Sequence, residues 1–585
     1  MPQNLYKTFR DEIIKIIDAL VQEKKLKAGL DTSKVTVDPP RESTHGDLAT
    51  NVAMVLAKEA NLSPRDLAQL VEEKLKNNSF VTHIEIAGPG FINFSLHHDF
   101  WAQEVRNILK SGINYGDSTL GKGHAINVEY ASVNPTGPLH MGHSRVALVA
   151  DVLANLLEKA GHPIQREYYV NDSGGQARIL VLSVYQRYLE ALGHTIGPID
   201  GYQGDYLIPV GQALAKKYGD QWVNKPEEQW YETFRAFSID AMMTRIKSDL
   251  NDLGVFHDVF TSEHSIVKEG KVEAAFKALE NLGLIYQGIL EPPKGKTPDD
   301  WEPREQTLFR AAQFGDDVDR PLKKSDGSWT YFANDIAYHF DKFNRGSPTL
   351  IDVLGADHGG YVKRLSAAVT AITEGKGQAI VKLCQMVRFI DQGQVLKMSK
   401  RAGVFVTVQE AIQKVGRDAI RFIMLTRKND APLDFDFDKV IEQTKDNPVF
   451  YVQYAHARCH SVKRHFLGTF PHVDLTPETL ASLDLKGQFQ DLGELSLIKL
   501  MATWPRVIET AALTYEPHRI AFYLYDVASA FHSLWNKGRE NEELRFILPN
   551  DVELSQKRYC LVYAVMLIIA SGLKVLGVQP LEEMR

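Results

Sequence analysis

Glu129-Tyr-Ala-Ser-Val-Asn-Pro-Thr-Gly-Pro-Leu-His140-Met-Gly-His143-Ser-Arg145 is the stretch on which the reading of the fold turns. Before it, His124 to Tyr130 is strand-like. After it, Ser144 to Ala160 repeats its apolar residues at helical spacing. A second strand, Ile164 to Val170, runs into Asn171-Asp-Ser-Gly-Gly-Gln176 and another helix. Repeated strand-to-helix units joined by short polar junctions imply a parallel sheet with helices packed on it. Such sheets bind ligands at the carboxyl ends of their strands.

Working outward, the alternation gives way at about 192–270 to polar, tyrosine-rich helical segments, read as an insertion. It resumes with Trp329 to Phe332, a helix from about Asp335, and the strand Thr349 to Leu354 ahead of Gly355-Ala-Asp-His-Gly-Gly360. Upstream, residues 1–115 form a separate unit. It opens with an amphipathic helix (Phe9, Ile13, Ile14, Ile16, Ile17, Leu20) and closes near a hairpin, Val81 to Ile86 and Phe91 to Phe94 around Ala87-Gly-Pro-Gly90. From about 440 strand signals largely disappear. Val449 to Lys463, Leu495 to Leu513, Arg519 to Trp535 and Gln556 to Leu576 have helical periodicity, so 441–585 is expected to be a helical bundle. The sheet domain is expected over 116–375 and a connecting region over 376–440.

With 585 residues the chain exceeds what one core can serve, since cores stop growing at roughly 250–300 residues. A hydrophobic share of 44% and a charged share of 24% exclude disordered and fibrous classes. No apolar run is expected to reach the roughly 18–20 residues that span a bilayer, and the first residues carry acids where a secretion signal needs a basic then an apolar run. The expectation is a cytosolic protein with no membrane contact. Cys384, Cys459 and Cys560 form no pair in sequence and are expected to be buried thiols. A net charge of -7 argues against coating nucleic acid by bulk electrostatics, so any RNA contact must use local patches.

The opening stretch carries chemistry as well as fold. His140 and His143 sit where a strand runs into a helix N-terminus, a place that offers backbone N–H groups and a positive dipole end to phosphate. Gly142 between them lets a flat adenine approach the backbone. Far downstream, Leu396-Lys397-Met-Ser-Lys400-Arg401 lies between strand-like Met386 to Ile390 and Val404 to Val406, on an expected mobile loop. Two lysines flanking a serine suit closure over a triphosphate and stabilisation of departing pyrophosphate. A lone HxxH can equally be a surface pair or part of a metal site, and a lone KxSKR a solvated loop.

Together, in this order and on these elements, His140-Met-Gly-His143 and Lys397-Met398-Ser399-Lys400 resemble the signature of class I aminoacyl-tRNA synthetases. Within that class the resemblance to arginyl-tRNA synthetases covers nearly the whole chain. It is carried by Ser43-Thr-His-Gly-Asp-Leu-Ala-Thr-Asn51, Val170 to Gln176, Phe309-Arg to Gly315-Asp-Asp317, Asp326-Gly-Ser-Trp-Thr-Tyr-Phe332 and Tyr451-Val-Gln-Tyr-Ala-His-Ala-Arg458. The resemblance implies an α/β protein in which a Rossmann-type catalytic domain is joined to an α+β N-terminal domain touching the tRNA elbow and an all-α anticodon-binding domain. The N-terminal 115 residues hold 14 basic and 15 acidic side chains, so their charge does not itself indicate RNA.

The implied activity is ligation of arginine to tRNA(Arg) through an adenylate made from ATP. His140, His143, Lys397 and Lys400 would be catalytic, and Gly142, Met398 and Ser399 would join them at ATP. Glu129, Ser132 and Asn134 would contact the amino acid, with Tyr331 and Asp335 beside the guanidinium. A guanidinium stays protonated at physiological pH and needs carboxylates placed for forked hydrogen bonds. Read from the residues alone, a strand-end solvent contact is the alternative for Glu129, and a helix N-cap is an equal alternative for Asp335. Some relatives carry glutamine where this chain has Asp357-His358. Asp357 would then serve the ATP ribose or the substrate amino group. Tyr451, Tyr454, His456 and Arg458 would meet tRNA by stacking or phosphate contact, with helix packing the alternative for both tyrosines. Mg2+ would arrive with ATP on phosphate oxygens rather than in a protein cage. The chain is expected to act as a monomer.

Overall fold

The structure is a computed structural model that describes residues 4–40, 42–290, 304–396 and 405–584. It divides into two compact units. One comprises 119–442 with the short segment 515–518, and the other comprises the N-terminal 118 residues with 443–514 and 519–585.

The first unit is built on five parallel strands: β1 (Ile126–Glu129), β2 (Ile164–Val170), β3 (Val259–Ser262), β4 (Thr349–Gly355) and β5 (Gln378–Cys384), in the order β5-β4-β1-β2-β3. The chain builds outward from β1 to β3, then returns to the other side of β1. The order therefore reverses between β1 and β4, and ligand crevices in such sheets open at the carboxyl ends there. Four helices bear on the site: α1 (Met141–Lys159), α2 (Gly174–Ala191), α3 (Tyr331–Asn344) and α4 (Tyr361–Ile372).

Two departures from the expected elements have local causes. Val259–Ser262 lies inside the stretch read as an insertion, yet it pairs with β2 as the sheet's edge strand. What is inserted ahead of it is helical, chiefly Ile208–Tyr218 and Glu227–Asp252. Trp329 to Phe332 is not a strand. Thr330 caps α3 by accepting from the Ala333 N–H at 3.3 Å, so the helix starts at Tyr331, four residues earlier than expected. Asp335 thus lies inside α3, which removes its reading as an N-cap.

The sheet row nearest the site is unusual for a buried surface. Register pairs Asp352 with Glu129 and Glu129 with Glu167, setting three carboxylates side by side on β4, β1 and β2. Like charges in adjacent strands repel. Lys342 of α3 and Arg345, its C-cap, answer them, the latter donating to both oxygens of Glu167 at 2.7 and 2.8 Å.

The second unit contains the expected hairpin, Val81–Ala87 paired antiparallel with Phe91–Leu96, and the amphipathic helix Leu5–Gln22, which buries Phe9, Ile13, Ile16, Ile17 and Leu20. Leu48–Thr50 and Val37–Asp38 extend that hairpin to a four-stranded sheet, and the other elements are helices. The run Leu495 to Leu513 is split into Leu492–Ala502 and Trp504–Thr514. Pro505 suits the first turn of a helix and not its interior, so the break falls just before it. Val552–Leu576 corrects the expectation about apolar runs, being long and apolar enough to cross a membrane by length and composition. Its most apolar window is 78% buried, and it packs on Pro448–Thr469 and His98–Ser111. The three cysteines are buried and unbridged.

Candidate active site

β1 ends at Glu129, and the chain then makes tight turns to reach α1. Ala131 adopts the left-handed region at φ +54°, and the Val133 N–H donates back to its carbonyl at 2.7 Å. An L-residue held there marks a backbone fixed by its surroundings. Asp249, from the inserted helix Glu227–Asp252, fixes the far end by accepting from the Leu139 N–H at 2.9 Å.

His140 is the N-cap of α1. Its Nδ1 accepts from the Gly142 N–H at 3.1 Å, and Nδ1 of His143 accepts from the His140 N–H at 3.4 Å. The two rings stack at 3.7 Å between centroids. A ring nitrogen that accepts carries no proton, so both neutral imidazoles hold theirs on Nε2. The pair therefore presents two Nε2–H donors at a helix N-terminus, the arrangement that suits phosphate oxygens. A Cβ at Gly142 would lie 2.9 Å from Cε1 and Nδ1 of His140.

Lys397, Met398, Ser399 and Lys400 lie outside the described residues. The chain that follows them returns to this site. Phe405 places its ring 5.6 Å from that of His140, Val406 accepts from the Met141 N–H at 3.0 Å, and the Val408 N–H donates to Leu139. Val406 belongs to no named strand. Arg145, 1% exposed, donates to the carbonyls of Gln385, Lys428 and Ala431, tying α1 to the region around that segment. Arg421 does the same with Asp151 of α1 at 2.5 Å.

A second group, an acidic cluster, is built on α3 and the short helix Glu263–Lys268. Asp335 accepts from the Tyr361 hydroxyl at 2.7 Å, and its low-dielectric surroundings push its carboxyl up to about 6 against the pull of that hydrogen bond. Glu263, 5% exposed, accepts from Asn334 Nδ2 at 3.1 Å. Tyr169 stands among them. Burial, and then the charges of Glu263, Asp335, Glu129 and Asp172, raise its phenol far above the ordinary range. The Tyr169 hydroxyl and Asn334 Oδ1 are buried with no hydrogen-bond partner among the described residues. Carboxylates and spare acceptors facing one another fit a ligand rich in N–H donors and positive charge.

The remaining expected residues are placed in different ways. Tyr331 opens α3 one turn before Asp335, is 61% exposed, and brings its hydroxyl to 3.3 Å from where a Cβ on Gly174 would stand. Asn134 donates to Gln176 at 2.8 Å, while the Ser132 hydroxyl accepts from the Tyr169 N–H at 3.0 Å. Asp172 of the same Asn171-to-Gln176 block accepts from Ser262 and the His264 N–H, holding the end of β3 and the helix that bears Glu263. Asp357 is exposed on the turn after β4, near His358 at 3.6 Å. Glu263, Tyr361 and Lys342 are additions that no motif announced.

Glu129, His339 and Asp352 are spaced closely enough to hold a metal ion. The position is filled by Lys342, whose Nζ lies 2.5 Å from Glu129 Oε2 and 3.1 Å from Asp352 Oδ1. An ammonium there does not leave room for a cation, so this cluster does not fit a resident metal.

Comparison with known proteins agrees with this layout. Residues 4–96 match the arginyl tRNA synthetase N terminal domain, 104–206 the catalytic domain of class I (R) tRNA synthetases, and 452–584 the DALR anticodon binding domain. The arginine--tRNA ligase of Rhodospirillum rubrum is 53% identical over 595 residues, and that of Ruegeria pomeroyi 53% over 583, each covering 100% of both chains. The chain belongs to the arginyl-tRNA synthetase family. The structure of the Thermus thermophilus arginyl-tRNA synthetase has the same fold, with a TM-score of 0.72 over 99% of this chain and 100% of that one at 20% identity. The α/β layout expected for the family, a parallel-sheet domain accompanied by an N-terminal domain and a helical C-terminal domain, is the one observed.

In the region matching the anticodon-binding family, Arg458 lies over the rings of Tyr454 at 4.4 Å and Trp535 at 4.8 Å, and donates to the Tyr454 hydroxyl and to His532 Nδ1. Tyr454 is 37% exposed, whereas Tyr451 packs against Tyr525 and His532. His456 is buried and hydrogen-bonded to the Leu581 carbonyl, so it offers nothing to RNA.

Proposed function

We propose that the chain activates L-arginine with ATP, releasing pyrophosphate, and transfers the arginyl group to the terminal ribose of tRNA(Arg). The observation that carries this reading is a buried acidic cluster, Asp335 with Glu263, in the same sheet unit as a stacked histidine pair at a helix N-terminus. In the first step an arginine carboxylate oxygen attacks the α-phosphorus of ATP, and the bond to pyrophosphate breaks. Positioning and charge stabilisation dominate such transfers. His140 and His143 donate Nε2–H to phosphate oxygens, Gly142 admits adenine, and Lys397 and Lys400, with Met398 and Ser399, close on pyrophosphate. Asp335, Tyr331 and Glu263 hold the guanidinium. Glu129, Asn134 and Ser132 hold the amino-acid end, and Asp357 meets the ATP ribose or the amino group. Mg2+ enters on the phosphates.

A site built to hydrogen-bond a polar group rejects analogues lacking it by roughly 10⁴–10⁵, so no editing step is required. In the second step the adenylate is transferred to tRNA. The exposed Tyr454 with Arg458 supports stacking on anticodon bases, Tyr451 backs them, and the N-terminal domain meets the tRNA elbow. The enzyme works in the cytoplasm as a monomer, for which light scattering should return one chain mass, 65.8 kDa. Among class I alternatives, a cysteinyl enzyme would want zinc ligands at this site, and the three cysteines are each buried and far apart in sequence.

The test is amino-acid-dependent exchange of pyrophosphate into ATP, run for each amino acid with and without tRNA. Exchange should appear with arginine in the presence of tRNA. Exchange with another amino acid and none with arginine would overturn the assignment.

A further inference from the structure

Lys342 is 0% exposed, about two hundred residues from the histidine pair in sequence, and belongs to no motif. Its ammonium lies between Glu129 Oε2 at 2.5 Å and Asp352 Oδ1 at 3.1 Å, with the Tyr338 ring 4.2 Å away. His339, one turn back on α3, completes the chain. Its Nε2 donates to Asp352 Oδ2 at 2.8 Å and its Nδ1 to the Asp335 carbonyl at 2.7 Å. Both partners are oxygens, so both ring nitrogens carry protons and the ring is an imidazolium. The sequence of charges is then His339 positive, Asp352 negative, Lys342 positive and Glu129 negative, and it sums to zero.

Two cations for two carboxylates is more than a packing solution requires, because a well-packed apolar set is often as stable as a buried ion network. What the network adds is direction. Lys342 engages only Oε2 of Glu129, and Oε1 has no hydrogen-bond partner among the described residues. Glu129, the last residue of β1, keeps 7% of its surface open. We propose that Lys342 is a positioning residue for the amino-acid substrate: it clamps one oxygen of Glu129 so that the other, ionised, faces the α-ammonium. The inference rests on the reading of Glu129 as an amino-acid contact.

Charged and titratable neighbours bear on Glu129 from three elements. α3 supplies Lys342, His339 and Asp335, β4 supplies Asp352, and β2 supplies Glu167 and Tyr169. Burial raises the Glu129 carboxyl, Lys342 lowers it, and Asp352 raises it. Removing Lys342 therefore leaves a buried carboxylate facing another across the row, and its protonated form gains. Removing the Asp352 charge acts the opposite way.

The experiment is tRNA-dependent pyrophosphate exchange on full-length K342M, E129Q, D352N and the double variant K342M/E129Q, with KM for arginine and for ATP measured from pH 5.5 to 9. K342M should raise the arginine KM at least tenfold while the ATP KM stays within about twofold. Beside the limb near 6 that Asp335 contributes, K342M should show an acid limb for arginine at least one pH unit above the native Glu129 limb, and that Glu129 limb should be missing in K342M/E129Q. D352N should move the Glu129 limb down and leave the Asp335 limb near 6 in place, which keeps the idea testable if K342M folds poorly. An unchanged arginine KM in E129Q would remove the reading of Glu129 itself. A raised arginine KM in E129Q, with no movement of the limb in either K342M or D352N, would overturn the role of Lys342 alone.

Discussion

Replacing Asp335 with asparagine isolates the guanidinium contact. The side chain keeps its size, sits in the interior of α3 where asparagine and aspartate have similar helix propensity, and retains an oxygen for the Tyr361 hydroxyl. What goes is the charge. Stranding one partner of a buried ion pair costs about 3–5 kcal/mol. Asp335 is only partly enclosed and Glu263 remains, so the low end applies, about 3 kcal/mol, or roughly 150-fold in arginine affinity. The native residue also leaves a signature in pH. Its carboxyl, raised to about 6, is protonated in the free enzyme as pH falls through that value, and the guanidinium binds the ionised form. Arginine kcat/KM should be flat above pH 7 and fall about tenfold per unit below 6, the equivalent of about 1.4 kcal/mol per unit. In D335N the limb near 6 should vanish, with ATP KM unchanged. Pyrophosphate exchange in the presence of tRNA measures all of this. A D335N enzyme with native arginine KM, or one that keeps the limb near pH 6, refutes the placement of the guanidinium.

Other substitutions separate the remaining parts. G142A should raise the ATP KM about tenfold, because its Cβ would stand 2.9 Å from the His140 ring and displace it, with little change in the arginine KM. H140N should keep the cap, since asparagine is a good N-cap, and lose the Nε2–H donor, lowering exchange kcat by roughly 10²–10³ with little change in arginine KM. E263Q should raise the arginine KM and leave that for ATP alone, and a native arginine KM would place Glu263 outside the pocket. D151N strands the fully buried Arg421 and should cost about 3–5 kcal/mol in the urea unfolding of the 119–442 unit, without a selective effect on either substrate.

Much of the fold was legible because it is written locally. A strand, a polar turn and a helix N-terminus follow one another within the Glu129 to Arg145 stretch, and the helical periodicity after 440 persists through long elements. Short or competing signals were harder. Val259–Ser262 is four residues long and takes its meaning from pairing with β2. Trp329 to Phe332 looks strand-like because aromatic and β-branched residues favour strands, and the capping hydroxyl of Thr330 decides otherwise. In the site, the histidine pair was visible, whereas its mode was not: that both rings cap α1 through Nδ1 requires coordinates. Glu263, Tyr361 and Lys342 were invisible for another reason. Each is a single polar residue on an otherwise ordinary helix, and only the sheet order brings it to Glu129 and Asp335.

The central claim is that this chain charges tRNA with arginine, and the direct measurement is acylation of total tRNA with each labelled amino acid, followed by identification of the acylated species. Arginine should be the amino acid attached, and the acylated species should all be arginine acceptors. Attachment of another amino acid, or exchange-competent enzyme that leaves every tRNA uncharged with arginine, would contradict the account.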